Sequence, residues 1–126
     1  MSYDKNNIFA KIIRKEIPCK KIFENEYILS FYDINPQKKI HALIIPKGEY
    51  IDLDDFNNRA PDQEIVALSK GITDVAKLLG ISTDKGKGYR VLTNLNDHGG
   101  QEVPHLHFHL FGGEKVGKMV EWKKKF

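Results

Sequence analysis

The stretch Pro104-His105-Leu106-His107-Phe108-His109-Leu110-Phe111 places three of the chain's five histidines at every second position. Successive side chains of a β-strand point to opposite faces, so a strand would put the histidines on one face and the apolar residues between them on the other. Neighbouring histidines would then lie about 6.6 Å apart, from a rise of about 3.3 Å per residue. A helix would spread the same three around its circumference. The spacing therefore predicts a strand with one polar face and one face packed on a core.

The composition describes a small protein without a strong bias. Its 126 residues, of which 40% are hydrophobic, predict a single domain over residues 1–126 with a C-terminal tail from about residue 114. The formal charge of +3 is too small to predict a nucleic-acid partner. Cys19 is the only cysteine, so no intramolecular disulfide can form. No apolar signal core or membrane-spanning run is present, so we expect a cytoplasmic protein without a membrane partner.

Local signals predict two helices and five strands. An amphipathic helix is expected over Ile8–Glu16 with an asparagine cap, and the main helix is expected from Pro61 or Asp62 to a stop at Gly80. The histidine stretch supplies one predicted strand. The other four are predicted at residues 20–25, 27–32, 40–45 and 89–95.

This order of elements predicts an α+β fold. Short connections between strands favour antiparallel pairing, so the expected architecture is one five-stranded antiparallel sheet with two helices on one face. The apolar run Ile40–Ile45 predicts a strand that is buried on both faces. The polar segment 49–60 is expected to be an irregular surface loop. A small domain with an exposed sheet edge often dimerises.

The histidine stretch allows three interpretations from the residues alone. If the histidines were only structural, each would need a buried polar partner, which makes three on one face hard to explain. Two of them could bind a zinc ion, with His41 or His98 as a third ligand. Alternatively, one neutral imidazole could attack phosphorus while a second one supplies a proton. The turn at Gly99-Gly100 favours this last interpretation, because glycine lets backbone N–H groups approach a phosphate closely.

The same residues carry a resemblance to a known family. The stretch His105–Phe111 matches the pattern His-φ-His-φ-His-φ-φ, in which φ is apolar, of the histidine triad (HIT) family. The chain resembles the bacterial HINT branch of that family, the histidine triad nucleotide-binding proteins, over roughly residues 7 to 118. The matching residues lie within the segments Ile8–Pro18, Phe31–Pro46 and Asn94–Gly113.

This resemblance implies a homodimeric hydrolase of purine nucleoside 5′-phosphoramidates, with the two sheets joined into one. His107 would attack the α-phosphorus and form a nucleotidyl-histidine intermediate, from which water would release the nucleoside monophosphate. His109 would contact the phosphate and assist the leaving amine, while His105 and His41 would orient the nucleophile. Neither a metal nor another cofactor is implied.

The resemblance also implies a set of nucleotide-binding residues. Asp33 would bind the ribose hydroxyls. The phosphate would be held by His107, His109 and donors around Asn94, Gly100, Gln101, Glu102 and Val103. The base would lie against Ile8, Phe9, Ile12, Phe31, Ile34 and Leu43. Aminoacyl adenylates fit the same chemistry, and three alternatives stay open: a diadenosine polyphosphate hydrolase, a nucleotide-binding regulatory module with little catalysis, and a zinc protein.

Overall fold

The structure is a computed structural model that describes residues 2–120. Its described part contains one sheet in the order β1-β2-β3-β5-β4, with every neighbouring pair antiparallel. The elements are α1 (Ile8–Ile13), β1 (Lys21–Glu24), β2 (Ile28–Tyr32), β3 (Ile40–Pro46), α2 (Leu53–Arg59), α3 (Asp62–Leu78), β4 (Arg90–Leu92), α4 (Asn96–Gly99) and β5 (Phe108–Gly112). The predicted α+β class with a five-stranded antiparallel sheet is confirmed.

Both predicted helices form, and their ends follow the sequence signals. The side chain of Asn7 caps α1 by accepting a hydrogen bond from the backbone N–H of Ala10 at 2.9 Å. Helix α3 follows Pro61, and its C-terminal end is followed by Gly80, which adopts the left-handed φ of 73°. The cap at Asn7 matters for the site, because it fixes the start of the short helix that carries Phe9.

The two helices lie on opposite faces of the sheet, so the prediction that they share one face is wrong. Helix α3 packs against Ile28, Ala42 and Ile44, whose side chains point to one side of β2 and β3. Helix α1 packs against the residues that point to the other side. The core on that side contains Phe9, Ile12, Leu29, Phe31, Leu43 and Ile45. The predicted two-sided burial of β3 is confirmed, and it is the reason why each face needs a helix.

Segment 49–60 is not an irregular loop, because it contains helix α2. Asp52 caps this helix by accepting from the backbone N–H of Asp55, and Asp55 pairs one turn later with Arg59 at 2.6 Å. Phe56 is its single buried residue, at 1% exposure. One apolar anchor does not produce a visible helical period, which explains the wrong prediction.

Strand β5 begins at Phe108, so the histidine stretch joins the sheet later in the chain than predicted. Before it, the backbone N–H of His105 bonds to Val103 and that of Leu106 bonds to Tyr50, so this segment forms loop contacts instead of a strand ladder. In the register of β3 with β5, Pro46 falls opposite Leu106, and proline has no N–H to donate to a ladder at that position. The alternation of side chains nevertheless holds, since Leu106 and Leu110 are fully buried on the α3 face.

The remaining segments carry little regular structure. Strand β4 ends at Leu92, earlier than the predicted residue 95, and the predicted glycine turn forms the end of α4. Residues 114–120 contain no helix or strand, and the tail boundary near 114 stays a prediction. Trp122 and the lysines of the basic tail lie outside the described residues. Among residues 2–120, no helix is both long and apolar enough to span a membrane.

Candidate active site

A cavity of about 330 Å³ opens on the α1 face, where β3 and β5 run side by side. This volume lies within the range of small-molecule sites, which is roughly 300–1,000 Å³. The lining residues are Phe9, Asp33, Gln37, His41, Leu43, Leu92, Asn94, Gly100, Glu102, Val103, His107, His109, Phe111 and Met119. Ten of the predicted site residues are therefore brought together around one opening.

His107 is held in a defined tautomer. Its Nδ1 lies 2.7 Å from the backbone carbonyl oxygen of His105, which can only accept, so Nδ1 carries the hydrogen and donates. Burial lowers the pKa of His107, and the ring is neutral at pH 7. Nε2 then holds a free lone pair. Since no buried side-chain nitrogen or oxygen in residues 2–120 lacks a partner, this unbonded atom is open to the cavity. That is the form a nucleophile requires.

His105 lies behind this ring and is fully buried. Its Nε2 is 2.9 Å from the carbonyl oxygen of Pro46, and its Nδ1 is 2.6 Å from the hydroxyl of Tyr3. Burial lowers the pKa of His105 to about 4, so this ring is also neutral at pH 7. His105 does not line the cavity, and it contributes to the site through its backbone carbonyl.

His41 and His109 form a directed pair. The backbone N–H of Gln37 donates to His41 Nδ1 at 3.1 Å, so the ring hydrogen of neutral His41 lies on Nε2. That nitrogen is 2.9 Å from His109 Nδ1, which must accept. His109 therefore carries its hydrogen on Nε2, the nitrogen left for the cavity. Burial lowers the pKa of His41 and, to about 4, that of His109.

Asp33 lies beside this pair and also lines the cavity. Its Oδ2 is 3.5 Å from His41 Nε2, which is long for a hydrogen bond to a nitrogen already directed at His109. Its effect on His41 is therefore mainly electrostatic, and it opposes the effect of burial on the pKa. The other oxygen accepts from the backbone N–H of Asn35 at 2.8 Å. Oδ2 thus keeps free acceptor capacity toward the cavity.

Asp33, His41 and His109 are also the residues that could hold a metal ion. Within residues 2–120, their ligand atoms form the one group of at least three lying within 4.8 Å of one another. An ion there would have to displace the hydrogen shared by the two histidines. The zinc alternative required two of the three triad histidines together with His41 or His98. This group contains His41 and His109, but neither His105 nor His107 joins it. His98 lies exposed in α4, in a separate surface depression.

The glycine turn forms a braced wall of the cavity. Gly100 ends α4 in the left-handed conformation, with φ of 75°, which glycine adopts without strain. The side-chain amide of Asn94 donates to the carbonyl of Gly99 at 2.6 Å. That of Gln101 donates to Ile51 and Val103 at 2.7 and 3.0 Å. These two amides hold the loop in place, and Gln101 itself does not line the cavity.

The predicted base-binding residues divide into three groups. Phe9 and Leu43 line the cavity. Ile12 and Phe31 lie behind them in the α1-face core. Ile8 and Ile34 are 42% and 94% exposed, and Ile34 borders a neighbouring groove together with Asp33 and His41. The structure therefore brings only part of the predicted set to this cavity.

Sequence reasoning missed four lining residues and one residue behind the site. Gln37, Leu92, Phe111 and Met119 line the cavity, and Tyr3 contacts His105. Phe111 had a usable signal, since it continues the alternation two residues beyond His109, and its ring stacks on that histidine at 5.8 Å between centroids. Tyr3 had no signal, because it contacts a residue 102 positions away.

Comparison with known proteins places this geometry in a family. The family model of the HIT domain matches residues 14–116 of this sequence. The chain belongs to the HIT domain family. An uncharacterized HIT-like protein of Azospirillum brasilense is 50% identical over 119 residues, which cover 94% of this chain and 95% of that one. The purine nucleoside phosphoramidase of Escherichia coli is 43% identical over 119 residues, covering 92% and 94%.

Solved structures agree with this assignment. A HIT family hydrolase from Clostridium thermocellum superposes with a TM-score of 0.83 at 38% identity, covering 93% of this chain and 99% of that one. The predicted histidine triad resemblance is thus confirmed for both sequence and fold. In this HIT protein, His105, His107 and His109 are the triad, and the structure separates their environments.

Proposed function

We propose that this HIT protein is a hydrolase that cleaves the P–N bond of purine nucleoside 5′-phosphoramidates and releases the nucleoside monophosphate. The observation that carries the proposal is the tautomer of His107, whose Nδ1–H is held by a carbonyl while Nε2 is left free at the cavity. The similarity to the Escherichia coli purine nucleoside phosphoramidase supports the choice of substrate. Aminoacyl adenylates would react at the same phosphorus.

The first step is attack on phosphorus. His107 Nε2 forms a bond to the α-phosphorus while the bond to the substrate nitrogen breaks, and the carbonyl of His105 stabilises the positive charge that develops on the ring. The departing nitrogen takes up a proton, because an unprotonated amine anion is a poor leaving group. His109 Nε2–H is the donor next to this position. An anion beside a histidine favours the protonated ring, so a bound phosphate would oppose the effect of burial, which lowers the pKa of His109 to about 4.

The second step restores the enzyme. Water attacks the phosphorus of the nucleotidyl-histidine, the bond to His107 Nε2 breaks, and one proton of the water returns to His109. Charge on the phosphate oxygens is stabilised by donors at the cavity wall around Gly100, Glu102 and Val103. Asp33 accepts hydrogen bonds from the ribose hydroxyls, and Phe9 with Leu43 contacts the purine. No metal or other cofactor takes part in these steps.

The proposal includes a cytoplasmic homodimer. Strand β4 is the short edge strand of the sheet, and Val91 on it is 42% exposed. An edge strand presents unpaired backbone groups that a second copy can satisfy, which would join two sheets into one. Sedimentation of the purified protein tests this part separately, and a monomer at micromolar concentration would contradict it.

The catalytic proposal is tested with adenosine 5′-phosphoramidate in the presence of a chelator. We expect AMP to form with the wild-type protein and not with His107→Ala, while His98→Ala, a histidine exposed in α4, keeps full activity. When the reaction is quenched without acid, the nucleotidyl group should remain bound to His107 in the wild-type protein. Faster turnover of diadenosine polyphosphates than of the phosphoramidate would reject the proposed substrate class. Full activity of His107→Ala would reject the mechanism.

A further inference from the structure

The N-terminal segment reaches the back of the histidine triad through Tyr3. Its hydroxyl lies 2.6 Å from Nδ1 of His105, and the two rings meet edge to face with centroids 5.6 Å apart. Tyr3 does not line the active-site cavity, so it cannot contact a substrate there. The mechanism proposed above leaves this residue without a role, although it makes one of the two side-chain hydrogen bonds of a fully buried histidine.

The direction of this hydrogen bond follows from the other end of the ring. The carbonyl oxygen of Pro46 can only accept, so His105 carries its hydrogen on Nε2. In the neutral ring Nδ1 is then an acceptor, and the Tyr3 hydroxyl donates to it. Burial lowers the pKa of His105 and raises that of Tyr3, which keeps both groups in the protonation states that this bond requires.

The bond acts on the nucleophile through one intermediate residue. His105 is fixed at both ring nitrogens, and its backbone carbonyl accepts the Nδ1–H of His107 at 2.7 Å. Without the hydroxyl, the buried Nδ1 would lose its donor, and an unsatisfied buried polar atom is costly. The carbonyl of Pro46 would then hold the ring at Nε2 alone, and the ring would be free to turn or to exchange its tautomer to give Nδ1 a new partner. The backbone carbonyl of His105, which orients His107, would move with the ring.

We propose that Tyr3 is a positioning residue that, together with the carbonyl of Pro46, holds the ring and tautomer of His105 and thereby aims Nε2 of His107 at phosphorus. The catalytic part of this inference rests on the proposed phosphoramidase function. The structural part, the tautomer of His105, does not depend on any substrate.

The test compares Tyr3→Phe with Tyr50→Phe. Tyr50 donates its partly buried hydroxyl to Glu64 at 2.8 Å, so the control removes a similar hydrogen bond that does not involve a histidine. With adenosine 5′-phosphoramidate, we expect Tyr3→Phe to lower kcat about tenfold while KM changes less than about twofold, because the nucleophile and not the binding surface is disturbed. Tyr50→Phe should stay within about twofold of wild type in both constants.

Nitrogen-15 NMR of the histidine rings provides the readout that a general loss of stability would not change. We expect wild-type His105 to show the Nε2–H tautomer and Tyr3→Phe to show a mixture, with an altered signal from His107 as well. Equal kcat in the two variants would overturn the role of Tyr3 in catalysis. An unchanged His105 tautomer in Tyr3→Phe would overturn the structural part. If the wild-type protein does not turn over the phosphoramidate, the proposed function fails, and the NMR comparison still decides the tautomer.

Discussion

Strand β5 and the segment that precedes it together have two faces. These two faces differ in almost every physical respect. Toward α3, the side chains of Leu106, Phe108 and Leu110 enter a core of apolar residues. Toward α1, His107 and His109 face an open cavity. The alternation of this one segment therefore separates side chains that pack in the α3-face core from side chains that line the cavity.

The polar face is ordered by hydrogen bonds, whereas the apolar face is ordered by packing. Across residues 2–120, each buried side-chain nitrogen or oxygen has a hydrogen-bond partner. The free nitrogens of His107 and His109 therefore belong to the cavity. His105 and His107 are each oriented by a backbone carbonyl that can only accept, and His109 is oriented through His41, whose own tautomer is set by a backbone N–H.

Removing the nucleophile should separate the two faces most sharply. We expect His107→Ala to lower kcat/KM for adenosine 5′-phosphoramidate by at least about a thousandfold, because no other ring nitrogen in the cavity has the same free lone pair. The protein should stay folded, with a free energy of unfolding lower by about 1–3 kcal/mol, because the buried carbonyl of His105 loses its donor while the opposite face is untouched. Activity assays and urea unfolding measure the two effects. A comparable loss with His98→Ala would show that the effect is not specific to the triad.

A substitution on the apolar face is expected to affect the free energy of unfolding more than the activity. Leu110→Ala removes a fully buried side chain and should lower the free energy of unfolding by about 2–5 kcal/mol. Val91→Ala, on the adjacent edge strand and 42% exposed, should change it by less than about 1 kcal/mol. Urea denaturation gives both values. If Leu110→Ala is as stable as Val91→Ala, the assignment of stability to the α3 face is wrong.

Periodicity was enough to predict this division, but it could not rank the histidines. Alternation correctly placed His107 and His109 opposite Leu106 and Leu110, because a two-residue period survives even where the strand itself has not begun. It could not show that His105 is fully buried and bonded to Pro46. That contact depends on where β3 ends, 59 positions earlier in the chain.

Other features were unpredictable for a related reason. Helix α2 has one buried anchor, Phe56, so its sequence lacks a helical period. The contacts of Tyr3 and Met119 depend on how segments distant in sequence fold back onto the sheet. Ile34 was expected in the pocket from the resemblance, but it is 94% exposed and borders a neighbouring groove. Local patterns thus predicted faces and elements, whereas the tertiary contacts decided which residues meet.

Acidic pH should lower the free energy of unfolding through the buried histidine His105. His105 has a pKa of about 4 in the folded protein, against about 6.5 when unfolded, so the unfolded chain binds more protons between these values. Stability is fully present above about pH 6.5 and is lost as the pH falls toward about 4, by about 3 kcal/mol from this residue. Urea unfolding across this range measures the loss, and His98→Gln should show the same slope as wild type. A flat profile would contradict the buried neutral state of His105.

The smallest effect should come from a substitution of Asp33, which acts on the histidine pair mainly through its charge. We expect Asp33→Asn to raise KM for adenosine 5′-phosphoramidate about tenfold, since the amide replaces one acceptor of the ribose hydroxyls with a donor. The substrate lacking both ribose hydroxyls provides the matched comparison. Wild type should bind it about tenfold more weakly than the normal substrate, whereas Asp33→Asn should discriminate little between the two. If Asp33→Asn keeps the full preference for the hydroxyls, Asp33 does not bind the ribose. Its role would then be confined to the charge it places beside His41, which a lower kcat at unchanged KM would reveal.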